Sequence, residues 1–316
     1  MAGKPRALVT GGTRGIGRAV VLELGKAGFD VAFTGRTRTE GKGQEIAPDG
    51  SVSVLPGSLD NTQAALAELG VTGLPIQMDL LDPASVDATI AAVMEAWGGV
   101  DLLVNNAFYE SGRYTSSWIK DIPVEEFQAK MQANFFAPLA LIKGFLPGWV
   151  ERRKGCVVNL STRHNYTRQG APPGEGSASV CYNCSKAAEG KLADGLAAEH
   201  GRDGVLSFDL DPGPVLTERG ERQMDRLGFP REIFCPTEVP AKAVLWLATD
   251  PEAIQYNGQH FMAQELALQK NLYPRWDTIL PMSETWHPGA ELEWVPARKP
   301  VRVADLLAEH AIGKTG

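Results

Sequence analysis

Short apolar and β-branched runs alternate with longer stretches of helical periodicity from the start of the chain to about residue 263. Runs at 7–10, 31–34, 75–79, 101–105, 156–161, 205–211 and 258–263 read as strands. Several are apolar throughout, as strands covered on both faces are, which predicts a parallel sheet with crossover helices. The intervening helices have readable ends. One opens near Gly15 and closes around Gly28; a second has Asp82 as cap, Pro83 in its first turn and a stop at Gly98-Gly99. A third spans about 124–152, with kinks expected near Pro138 and Pro147. A fourth carries Lys186 and runs to Gly201, and a fifth covers about 239–248. The pattern predicts one α/β domain over residues 1–268, doubly wound around a seven-stranded parallel sheet with helices on both faces.

Three segments depart from this alternation. Residues 40–61 are rich in Gly, Pro, Ser and Asp and read as a lengthened connection before a short helix near 62–69. Residues 163–177 read as a Gly- and Pro-rich loop. Residues 269–316 form a C-terminal extension containing Trp276, Trp286 and Trp294 and a helical stretch at 303–311, expected to pack on the body or on a neighbouring subunit.

The formal net charge of −7 over 316 residues argues against nucleic acid or an anionic membrane as partner, since both need a basic face. The apolar stretch at 135–150 is broken by Pro138, Lys143 and Pro147, so no membrane span is expected, and no secretory h-region opens the chain; the expected location is cytoplasmic. Asn159, Asn165 and Asn183 then sit in acceptor triplets without glycosylation meaning. Four cysteines are too few for a disulfide scaffold in a chain this long. Cys181 and Cys184 have zinc-type spacing but no second ligand pair, so no metal is expected.

Two stretches carry chemistry. In Tyr182-Asn183-Cys184-Ser185-Lys186 a phenol and an amine four positions apart meet on one helix face. A neighbouring ammonium favours the phenolate; moving the tyrosine from about 10 to about 7 takes roughly 4 kcal/mol of differential stabilisation. The other stretch is Thr10-Gly-Gly-Thr-Arg-Gly-Ile-Gly17, which follows the first strand and opens the first helix, the context in which such glycines hold a pyrophosphate. A carboxylate at the end of the second strand would select NAD; this chain has Gly35 there, followed by Arg36 and Arg38, with Arg14 inside the turn. Arginine forks match a phosphate, which points to NADP(H).

With this turn, Asn105-Asn106-Ala107 after the fourth strand, Asn134 in the next helix, Tyr182 and Lys186, and Pro212-Gly213-Pro214-Val215-Leu216-Thr217 in that order, the chain resembles the short-chain dehydrogenase/reductases over about residues 5–265. Its Thr-Gly-x-x-x-Gly-x-Gly spacing resembles the short branch. The resemblance implies a Rossmann-type fold and cofactor contacts from Gly11, Gly12, Thr13, Arg14, Gly15, Ile16 and Gly17. It further implies Asp79 and Leu80 at the adenine, Asn106 and Ala107 beside the cofactor, and Pro212, Gly213, Val215 and Thr217 toward the nicotinamide. It makes Tyr182 the acid/base, Lys186 its ribose-binding partner and Asn134 the anchor of a proton-passing water. It also implies a homodimer or homotetramer built on the long helices, with Phe135, Phe136 and Leu139 as candidate contacts.

The family's serine hydroxyl falls at Thr162 when counted from Gly155, with Ser161 as the alternative. Phe108 replaces the glycine usual after Asn-Asn-Ala, and the interval from Thr162 to Tyr182 is enlarged. Phe108, Tyr109, the 163–176 loop with His164 and the segment 216–234 are expected to line the pocket of a small carbonyl or alcohol substrate. The arginines at 219, 222, 226 and 231 in that segment read first as a solvated helix face balanced by Glu218, Glu221 and Asp225, with contact to an acidic or acyl-thioester substrate as the alternative. His164 reads first as a surface loop residue, with substrate contact as its alternative. The expectation is an NADP(H)-dependent ketone or aldehyde reductase; the alternative is a catalytically silent NADP-binding regulatory or structural protein.

Overall fold

The computed structural model describes residues 3–46, 51–109, 114, 116–162, 165, 169, 172–174, 177–218, 220 and 234–276. Strand β1 (Arg6–Val9) leads through the glycine turn into α1 (Gly15–Lys26), followed by β2 (Asp30–Gly35). A hairpin of β3 (Gly43–Ile46) and β4 (Val52–Leu55), α2 (Leu59–Glu68), β5 (Gly73–Gln77) and α3 (Pro83–Trp97) complete the first half. The second half contains β6 (Leu102–Asn105), α4 (Val124–Met131), a π-helical turn (Gln132–Phe136), α5 (Ala137–Arg152) and β7 (Gly155–Leu160). It ends with α6 (Val180–His200), β8 (Val205–Asp211), α7 (Glu238–Thr249), β9 (His260–Met262) and α8 (Ala263–Gln269).

The main sheet has the order β5-β2-β1-β6-β7-β8-β9, every neighbouring pair parallel. The seven strands are those read from the sequence. The direction of winding reverses between β1 and β6, which places a crevice at the carboxyl ends of those strands. Odd and even positions feed two cores. Val9, Phe33, Val104, Val158 and Phe208 pack with Val21 and Leu24 of α1 and Leu247 of α7. Leu8, Ala32, Leu103 and Val157 pack on the other face with Leu141, Phe145 and Trp149 of α5 and Val93 of α3. The run Val124–Arg152 is long and apolar enough to cross a membrane by length and composition, yet these α5 side chains are spent on the sheet.

Two expectations change. Residues 40–61 are not a plain connection: Gly43–Ile46 and Val52–Leu55 pair antiparallel, as the β-branched Val52 and Val54 favour. The long helix read over 124–152 is divided into α4, a π turn and α5. In the π turn the Ala137 amide bonds the Gln132 carbonyl five residues back. Pro138 is still the chemical cause, since it lacks the N–H that an α-helix would bring to the Asn134 carbonyl. Pro147 lies inside an α5 that continues to Arg152.

At the C-terminal end, Trp276 is buried against Val215, Cys235, Val239 and Ala267. Trp286, Trp294 and the helical stretch at 303–311 lie outside the described residues.

Candidate active site

The glycine turn is built around contacts that no side chain could share. Gly11 adopts φ +69°, and a Cβ on Gly17 would collide with the Gly11 carbonyl and the Asn106 amide. Asn106 Nδ2 donates to the carbonyls of Thr10 (2.8 Å) and Gly11 (3.3 Å), while Thr10 Oγ1 accepts from the amides of Asn106 and Ala107 (both 3.0 Å). Asn106 thus braces the turn from the neighbouring strand end. Helix α1 begins with no side-chain cap from Arg14 and no acidic residue in its first turn, so its amides face the crevice with the positive end of the helix dipole. A backbone cradle with uncapped donors fits a pyrophosphate.

One group already reaches it. Glu218 Oε1 accepts from the Gly15 amide at 3.4 Å, and the Thr217 methyl lies over Gly15. The segment after Asp211 therefore closes onto the turn; Val215 is buried there and Thr217 Oγ1 accepts from the Gly220 amide at 2.9 Å. Gly213 takes the Asp211 carboxylate on its amide (2.9 Å), and Gln264 Nε2 holds the Pro214 carbonyl (2.8 Å). The sequence reading gave Glu218 only a place on a solvated helix face beside the arginines, because nothing local marks an acid 203 positions from its partner.

At the outer end of the crevice, β2 finishes on Gly35 and no carboxylate follows at Arg36, Thr37 or Arg38. Arg14 Nη2 donates to the Gly57 carbonyl (2.9 Å) and to Thr37 Oγ1 (3.4 Å), which locks the connection after the β3–β4 hairpin beside the turn. Arg36 and Arg38 are exposed, and Arg38 makes a long 3.9 Å ion pair with Asp60. Asp79 caps its own turn, Oδ1 accepting from the Leu81 amide at 3.0 Å. Leu80 packs into the core on that side.

The inner end is a contact chain through three loops. Phe108, next to the residues that brace the glycine turn, sets its ring 6.3 Å from that of Tyr182, edge-on at 71°, and 5.4 Å from the Lys186 ammonium. Lys186 is buried and donates to the Leu160 carbonyl at the end of β7 (2.8 Å) and to Glu189 Oε2 (2.6 Å). Ser161 and Thr162 follow Leu160 directly, both buried; Ser161 Oγ has no hydrogen-bond partner among the described residues. Asn134 is buried in the π turn, accepting from the Tyr109 amide (2.8 Å) and donating to Ser185 Oγ (3.0 Å), which in turn donates to the Tyr182 carbonyl (2.9 Å). Its side chain therefore ties the strand end carrying Phe108 and Tyr109 to the helix carrying Tyr182. His164 and the arginines at 219, 222, 226 and 231 lie outside the described residues.

Several buried charged groups escaped the sequence reading, Lys130 and Glu189 among them. Lys130 of α4 is fully buried, 3.5 Å from Glu126 and 3.4 Å from the Tyr109 carbonyl, with its ammonium over the Tyr109 ring. Glu189 lies one turn beyond Lys186. Burial pushes its carboxyl up to about 7, against the pull of Lys186 and with a further push from Asp209. The buried thiols of Cys156 and Cys235 are pushed up to about 12 by desolvation. Cys181 is buried and Cys184 exposed, so the pair does not converge on one point.

A family model described as short chain dehydrogenase matches residues 44–227. The chain belongs to the short-chain dehydrogenase/reductase family. It is an oxidoreductase of a family that works on CH–OH and C=O groups with a nicotinamide cofactor. Among its relatives in this family is a short chain dehydrogenase of Pseudocercospora fijiensis, 28% identical over 276 residues, covering 82% of this chain and 80% of that one. Gluconate 5-dehydrogenase of Gluconobacter oxydans is 29% identical over 227 residues, covering 69% of this chain and 73% of that protein. A solved short chain dehydrogenase/reductase family protein superposes with TM-score 0.63 at 30% identity, over 82% of this chain and 94% of its own. A short-chain type dehydrogenase/reductase from Mycobacterium marinum gives TM-score 0.66 at 23% identity, over 82% and 93%, which speaks for the fold alone.

Proposed function

We propose that this family member is an NADP(H)-dependent reductase of ketones or aldehydes, with Tyr182 as proton donor. The observation that carries the reading is the unbroken contact chain from Gly11 through Asn106 and Phe108 to Lys186 and Tyr182, which joins a phosphate cradle to an acid/base pair in one crevice.

NADP(H) is favoured over NAD because the end of β2 offers cations and no carboxylate for the ribose hydroxyls. Among the described residues Arg36 and Arg38 make no close ion pair, and Arg14 stands at the turn. When bound, the nicotinamide supplies the hydride equivalent. The chain's own residues manage the oxygen. Tyr182 gives its phenolic proton to the developing alkoxide, and the Thr162 hydroxyl donates a hydrogen bond to the same oxygen. Thr162 takes this part over Ser161 because it holds the motif position counted from Gly155. Lys186 favours the phenolate left behind. Asn134 spends its side chain on Tyr109 and Ser185, so its backbone carbonyl, which Pro138 cannot use, is what it offers a proton-passing water.

The face of α4 and the π turn supports a homodimer. Val124 and Phe136 are exposed there, and Phe127, Met131 and Phe136 line an apolar cleft.

The deciding experiment follows NADPH in the wild type and in Tyr182→Phe, by fluorescence of the bound cofactor and by its oxidation with a panel of ketones and aldehydes. Binding in both with turnover only in the wild type is the expected result. Binding without turnover anywhere on the panel favours a silent NADP-binding protein, and undiminished turnover in Tyr182→Phe overturns the mechanism.

A further inference from the structure

Behind the lysine lies a buried polar assembly that the proposed chemistry does not use. On β6, β7, β8 and β9 the residues Asn105, Asn159, Asp209 and His260 are partners in register, so four polar side chains form one row across the sheet. Asn105 Nδ2 donates to Asn159 Oδ1 (2.9 Å), and His260 Nδ1 lies 2.8 Å from Asp209 Oδ2. Asn165 Nδ2 donates to the same Asp209 oxygen at 3.3 Å. The row belongs to the face on which α6 packs. Along that helix Tyr182, Lys186 and Glu189 recur at helical spacing, and burial deepens from the partly exposed tyrosine to a fully enclosed glutamate.

The charge balance of this assembly is uneven. Glu189 and Asp209 are two fully buried carboxylates close enough to act on each other's charge; Glu189 pairs with the buried Lys186 ammonium and Asp209 with His260, at the half-buried end of the row. Glu189 Oε1 and Asp209 Oδ1 have no hydrogen-bond partner among the described residues. A buried carboxylate without full compensation is costly, so an acid kept here faces selection against it unless its charge is used. Among the described residues the one close ionic contact of Glu189 is the 2.6 Å bond to Lys186 Nζ.

We propose that Glu189 is a positioning residue: it fixes the Lys186 ammonium between its own carboxylate and the Leu160 carbonyl, and its negative charge moderates the field that the ammonium exerts on the Tyr182 phenol. The inference rests on the reading of Tyr182 and Lys186 as the acid/base pair, and it goes further in naming what tunes them. In alkaline solution, where a tyrosine titrates, Glu189 is ionised, because its carboxyl, raised by burial, loses its proton at about 7. Its charge then offsets that of Lys186, and the phenol keeps its proton to higher pH than beside an unpaired ammonium. Asp209, held by His260 and Asn165, adds a second and more distant negative charge in the same sense. Retention of the phenolic proton is what a proton donor in a reduction requires.

The test needs no cofactor. Ultraviolet tyrosinate absorbance is titrated in the full-length protein and in Glu189→Gln, each against its own Tyr182→Phe counterpart, which isolates one phenol among the six tyrosines. Glutamine keeps the shape and the acceptor oxygen but not the charge. The Tyr182 midpoint is expected to fall by about one pH unit in Glu189→Gln. Asp209→Asn is expected to give a smaller fall in the same direction, and it serves if the first variant does not fold. A midpoint unmoved in a folded Glu189→Gln, or in a folded Asp209→Asn where that variant has to serve, overturns the proposal. In parallel, the alkaline limb of carbonyl reduction should move down with the midpoint. A midpoint that moves in a protein without turnover leaves Glu189 as the tuning group and removes the reductase reading instead.

Discussion

Glu218 accepts the Gly15 amide hydrogen across the mouth of the crevice, at the first turn of α1 where a pyrophosphate would take the same donors. A carboxylate and a phosphate repel, so cofactor entry has to displace or neutralise this contact. Glu218→Gln should tighten NADPH binding by about two- to fivefold, the range expected for one charge at a helix terminus. The gain should shrink as salt rises. Fluorescence titration at two ionic strengths checks both, and weaker binding in the variant would count against a competing role.

Arg38 is exposed and only distantly paired with Asp60, so its guanidinium can turn to a ribose phosphate at little structural cost. Arg38→Ala should lower kcat/KM for NADPH by about 10- to 100-fold, the loss of one charge-assisted contact of roughly 1.5–3 kcal/mol. Activity with NADH should be nearly unchanged. Equal losses with both cofactors would point away from the 2′-phosphate.

Phe108 is 41% exposed and covers Lys186 from the solvent side. Its removal in Phe108→Ala should raise kcat/KM for bulky carbonyls relative to small ones by about tenfold, on the scale of steric discrimination by a few carbons. A ratio that stays constant over a substrate series places the substrate elsewhere.

Burial raises the Glu189 carboxyl from 4.5 to about 7, so the folded protein binds this proton more tightly than the unfolded chain. The resulting stability is complete below the unfolded value and is lost as pH rises through about 7. The melting temperature of the wild type relative to Glu189→Gln should therefore be higher near pH 5 than near pH 8. The opposite slope would mean that the Lys186 pairing outweighs burial.

Desolvation holds the Cys156 and Cys235 thiols near 12, and Cys181 is buried with its pKa also raised. Only Cys184 is exposed. A thiol reagent at neutral pH should label one cysteine per native chain and four after denaturation, as mass spectrometry can count.

Much of this molecule is legible in its amino-acid order because the signals are local. The seven strands announce themselves as apolar runs, α3 by Asp82, Pro83 and Gly98, and the phosphate cradle by glycines that must sit between a strand and a helix. Tyr182 and Lys186 meet because a helix has 3.6 residues per turn. The residues around them are a different matter. That Phe108 faces Lys186, that Asn134 spends its amide on Tyr109 and Ser185, and that Glu218 returns to Gly15 depend on which strand ends are neighbours.

A trace of the buried row was present in β8, where Ser207, Asp209 and Asp211 alternate with Phe208 and Leu210 although the strand is covered on both faces. Periodicity marks such a face as polar but cannot say what it meets. Register alone lines Asp209 up with Asn159 and His260, and packing of the helix on the sheet alone buries Lys186 together with Glu189, which helical spacing already makes neighbours. Chain order decides which groups are available to ionise. Their charge state is set above all by burial, together with neighbours near and far in sequence, and that burial exists only once the sheet and α6 have closed on each other.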